Sequence, residues 1–66
     1  MDRINELRAA ESLLMWHDPS VEGDITPLID GYKILNVRFE REFRRSWSPS
    51  HDFKRWARDH HPELIR

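Results

Sequence analysis

Four histidines, His17, His51, His60 and His61, are the side chains of this 66-residue sequence best suited to proton transfer or metal binding near neutral pH, and Asp59-His60-His61 is their densest grouping. A metal pair on a helix needs ligands three or four residues apart on one face. His60 and His61 diverge by about 100°, and His51 and His60 point to nearly opposite sides. His17 with Asp18 could complete a site only through folding. Adjacent histidines that close a helix act more commonly as a cap and a surface group, so no metal is expected. Ser46, Ser48 and Ser50 stand beside His51 and Asp52, but a nucleophilic triad is built in space from converging side chains, and contiguous residues cannot supply it. Helix capping explains these serines more economically. With only two glycines, Gly23 and Gly31, no glycine-rich phosphate cradle can form. Neither catalytic residues, nor a cofactor, nor a small-molecule substrate is therefore expected.

Charge is the remaining chemistry. The net value of −1 conceals an asymmetry: residues 1–37 carry three basic and seven acidic side chains, and residues 38–58 carry seven basic and three acidic ones. Arg41, Arg44, Arg45, His51, Lys54, Arg55 and Arg58 are the candidate partner-binding residues. They suit an acidic patch on a protein. They also suit nucleic acid, if the segments before and after a short turn at Ser46 to Ser48 make a helix-turn-helix, with His51, Lys54, Arg55 and Arg58 facing the groove and Arg41, Arg44 and Arg45 bracing phosphates. Against nucleic acid stand an isoelectric point near 6.4, the interrupting Asp52 and Asp59, and the lack of a glycine-centred turn. The plainest alternative is a solvated face with partners one turn away, such as Arg38 with Glu42.

The elements that must position these residues follow from apolar spacing. In the first segment, Ile4, Leu7, Leu14 and Met15 fall near one side of a helix, while Ala9, Leu13 and Trp16 fall on another side that could meet a partner. Asp18-Pro19 ends that helix, and residues 18–24 have loop composition. Thr26 is expected to cap a second helix with Pro27 at its first position. Leu28, Tyr32, Leu35, Phe39 and Phe43 then recur at helical spacing. Leu35, Val37 and Phe39 also alternate at period two, so a strand or hairpin over residues 32–45, and with it an α+β fold, is the rival. Ser48-Pro49 repeats the cap-then-proline start for a third helix, with Asp52 in its first turn and Phe53, Trp56, Ala57 and His60 on its apolar face. Residues 61–66 either fold back through Leu64 and Ile65 or stay mobile.

A chain this short hides only about 60% of its unfolded surface, and without cysteine it has no disulfide to compensate. Three tryptophans, three phenylalanines and a tyrosine are expected to supply the core. The expected architecture is a small all-α domain of three helices spanning residues 1–66. No apolar run approaches the roughly 20 residues of a membrane span and no leader is evident, which points to a cytoplasmic protein. The expected function is a non-enzymatic interaction module, a small regulator or inhibitor that docks on a larger protein or self-associates. A nucleic-acid-binding regulator is the alternative.

Overall fold

The computed structural model describes residues 2–65. They form helices α1 (Arg3–Met15), α2 (Pro19–Glu22), α3 (Thr26–Phe43) and α4 (His51–His60), followed by a 3-10 turn at Pro62–Leu64, and the described residues contain no strand. The fold is all-α, with three long helices and one single-turn helix.

Helix α1 begins where Asp2 Oδ1 accepts from the Ile4 amide at 3.0 Å, and Glu6 adds negative charge to its first turn. The loop expected over residues 18–24 contains the turn α2. Asp18 Oδ1 accepts from the amide and hydroxyl of Ser20 at 3.0 and 2.6 Å, and Gly23, at φ 76°, stops the turn in a conformation glycine adopts without steric cost. The start of α3 differs from expectation. Thr26 is a donor, giving its amide and hydroxyl to Asp24 Oδ1 at 3.0 and 2.8 Å. The carboxylate two residues upstream is the stronger acceptor, so the helix starts one residue earlier and Pro27 occupies its second position, where a missing donor still costs nothing. Hydrogen bonds from Ser20 and Thr26 hold the Asp18 and Asp24 carboxyls below the usual range.

Helix α3 runs unbroken through residues 32–43, so the strand or hairpin is not formed; Tyr32 and Phe39, seven residues apart on one helical face, are both buried. It ends at Arg44, which takes the left-handed conformation (φ 53°) and donates its amide to the Glu40 carbonyl at 2.7 Å. Helix α4 is capped by Ser50, not Ser48: Ser50 Oγ accepts from the Phe53 amide at 3.2 Å.

The core comprises Leu7 and Leu14 from α1, Ile29, Tyr32 and Phe39 from α3, and Phe53 and Ala57 from α4. The Tyr32 and Phe53 rings lie 5.0 Å apart, and Trp47 sets its edge on Phe39 at 5.7 Å. The fold-back of the tail occurs: Leu64 and Ile65 pack on the core, so this stretch is not a free tail; Arg66 lies outside the described residues. Two aromatics expected inside are outside. Trp16 is 80% exposed, because α1 ends beneath it and its side faces no other helix, and Phe43 is about half exposed at the end of α3.

Candidate functional site

The seven basic residues singled out by charge are all exposed, and none forms a salt bridge with a described residue. The fold uses the acidic residues near them elsewhere. Glu42, the expected partner of Arg38, accepts from Arg3 Nε at 3.1 Å, across 39 residues, and Arg3 also bonds Glu6 at 2.7 Å. Those hydrogen bonds hold the Glu42 carboxyl low and raise the Arg3 guanidinium. On α4, His51, Lys54, Arg55 and Arg58 share an arc of about 100° opposite the buried Phe53 and Ala57, so the helix brings them together. Arg41 lies in the last turn of α3, and Arg45, just past the left-handed Arg44 that ends the helix, stacks over the Phe39 ring at 5.7 Å.

The connection between these two groups is not a short turn. Seven residues, Arg44 to Ser50, separate α3 from α4, whereas a helix-turn-helix uses a turn of about three or four. Long-range contacts hold this linker. Trp47 Nε1 donates to the Tyr32 hydroxyl at 2.7 Å, the Arg8 guanidinium lies 4.7 Å above the Trp47 ring, and the Ser50 amide donates to Glu11 Oε2 at 3.0 Å. Glu11 thus holds, by its backbone amide, the same Ser50 that caps α4 in place of Ser48.

Glu11 itself escaped the sequence reading. It is 2% exposed, with Oε1 accepting from Arg8 Nη1 at 3.1 Å, and it sits at the N-terminus of α4, where the helix dipole favours a carboxylate. Its signal was its place in the apolar stripe, four residues after Leu7 and three before Leu14. A buried carboxylate near a buried tyrosine suggests chemistry, but both of its oxygens are engaged and Glu11 lines neither of the two clefts described below. Burial pushes the Tyr32 hydroxyl up to about 12. This is a positioning network for α4 and its basic face.

Two clefts mark the surface. One, of about 360 Å³, lies between α1 and α3, with Ala10, Leu13, Gly31, Ile34 and Leu35 among its walls and Arg38 the one charged residue lining it. Leu13 and Ile34, both on its walls, are each about half exposed. The other, of about 440 Å³, brings His17, His60 and His61 beside Trp56 and Asp24. His17 Nε2 donates to the Gly23 carbonyl at 2.6 Å, His61 Nδ1 lies 3.3 Å from Glu63 Oε1, and both His60 and His61 stack on Trp56. Among the described residues no three His, Cys, Asp or Glu side chains are grouped to hold a metal ion, and no helix is long and apolar enough to cross a membrane.

Comparison with protein-family models, with curated proteins and with solved structures returns no match to this chain.

Proposed function

We propose that this protein is a non-enzymatic interaction module, a small regulator that docks on a larger protein through the basic outer face of α4 and the arginines at the end of α3. One observation carries the reading. The α1 arginines Arg3 and Arg8 take up Glu6, Glu11 and Glu42, while His51, Lys54, Arg55 and Arg58 stand together in solvent with no intramolecular salt bridge among the described residues. An exposed cluster of one sign steers an oppositely charged partner and fixes its orientation. The acidic N-terminal segment and the interrupting Asp52 and Asp59 favour a protein patch over a continuous phosphate backbone.

The test is charge reversal. Arg55→Glu with Arg58→Glu lies wholly on exposed positions and should keep the helical circular dichroism spectrum. Protein captured by the wild-type chain from its native cell extract should be lost with the double variant. Under the nucleic-acid alternative, duplex binding would instead fall with salt at a log-log slope of about −0.9 per phosphate, and the double variant would flatten that slope by about two. Sequence-specific duplex binding by the wild type, lost in the double variant, would overturn the proposal.

A further inference from the structure

The outer side of α3 carries a second pattern, unrelated to the basic face of α4. Asp30, Ile34 and Arg38 follow one another at four-residue intervals, and all three are exposed. Side chains at this interval form one continuous ridge inclined to the helix axis. The neighbouring ridge is Pro27, Gly31 and Leu35, all on the wall of the α1–α3 cleft. At its midpoint a Cβ built on Gly31 would meet nothing within 4 Å, so the groove beside the charged ridge is open. Ridge and groove therefore lie side by side with the same pitch.

The ridge is also self-complementary in charge. Asp30 and Arg38 are equidistant in sequence from Ile34, which is 52% exposed. Neither charge makes a salt bridge with a described residue: Arg38 is near enough to help lower the Glu42 carboxyl, but the hydrogen bonds of Glu42 go to Arg3. A two-fold axis through the groove beside Ile34 lays each ridge in the other copy's groove, with the two Ile34 side chains next to one another and each Asp30 beside the partner's Arg38; ridges at four-residue intervals interdigitate in this way at the commonest helix crossing, about −50°. The open position at Gly31 lets the opposing ridge approach closely.

We propose that the α1–α3 face receives a second copy of this chain, paired α3 to α3 about Ile34, which leaves the basic face of α4 free. This inference goes beyond the interaction-module reading and uses a different surface. Charge swaps test it. In sedimentation equilibrium the wild-type mass should rise from 8.0 kDa toward twice that value as concentration climbs from about 10 µM to about 1 mM. Asp30→Arg and Arg38→Asp each oppose like charges at both ends of a homodimer, so each alone should weaken association at least about tenfold while keeping the helical spectrum. An equimolar mixture of the two variants restores opposite charges at both ends and should regain the heavier species. A wild-type mass that stays at 8.0 kDa at the highest concentration, or a mixture no heavier than its components, would overturn the pairing. Loss of captured protein in the α4 reversal, alongside a monomeric wild type, would overturn the pairing alone and leave the module standing.

Discussion

Replacing Glu11 by alanine should loosen the attachment of α4 to α1. The carboxylate is buried and accepts the Ser50 amide at 3.0 Å and the Arg8 guanidinium at 3.1 Å. A hydrogen bond to a charged group contributes about 1.5–3 kcal/mol, and a donor left without a partner costs about 1–3 kcal/mol. The Arg8 side chain is 48% exposed, so its share is discounted to about 0–1 kcal/mol. The expected loss is therefore about 2–3 kcal/mol, because the bond energy and the orphaned donor are two descriptions of one event. A domain of this size holds only ~3–10 kcal/mol in total. At about 4–8 °C per kcal/mol for a small domain, the thermal midpoint should fall by roughly 10–20 °C. Glu11→Gln keeps a carbonyl acceptor of the same length and should lose less than half as much. Circular dichroism melting measures both variants, and amide exchange at Ser50 and Phe53 should accelerate in the alanine variant before that of Leu7. A midpoint for Glu11→Ala within about 3 °C of wild type would refute the claim that Glu11 anchors α4.

Three further outcomes follow from single residues. Trp56 is partly buried against Phe53, His60 and His61, so Trp56→Ala should destabilise by about 3 kcal/mol, the lower end of the range for removing a large buried aromatic side chain; an unchanged midpoint would place its ring outside the packing. Arg44 holds φ 53°, a conformation that costs a residue with a Cβ about 1–2 kcal/mol; less the entropy of glycine in the unfolded chain, Arg44→Gly should stabilise by about 0.5–1 kcal/mol, read as a raised denaturant midpoint at constant slope. Tyr32 ionises at about 12 when folded and near 10 when unfolded, so the folded state retains the proton longer: its contribution is fully present below pH 10 and is lost as pH rises toward 12. Alkaline titration should show that decline, and Tyr32→Phe should flatten it.

The three long helices were legible because burial follows a spacing of three and four, and Leu7, Leu14, Tyr32, Phe39, Phe53 and Ala57 obey it. The rival strand over residues 32–45 shared Leu35, Val37 and Phe39, but a strand would have put Tyr32 on the face opposite to them, and local alternation could not reveal that. Cap positions were less legible, since two nearby oxygens compete for the same amides. Asp24 outcompetes Thr26 through its charge, a local effect. Ser50 takes the cap in place of Ser48, and its amide is held by Glu11, a contact 39 residues away. The basic face of α4 could be read from its amphipathic pattern, whereas the linker geometry depends on Trp47 meeting Tyr32 and on Glu11 meeting Ser50. Trp16 and Phe43 mislead because an aromatic side chain at a helix end is buried only if another element passes over it, and among the described residues Trp16 stays 80% exposed and Phe43 47%.

The most direct test of the interaction-module account is a photo-reactive side chain placed at Lys54, within the α4 basic face, and activated in the native cell. The account predicts a discrete adduct of this 8.0 kDa chain with a larger protein, absent when Arg55→Glu and Arg58→Glu are added. Adducts to nucleic acid alone, or a protein adduct undiminished by the charge reversal, would contradict it.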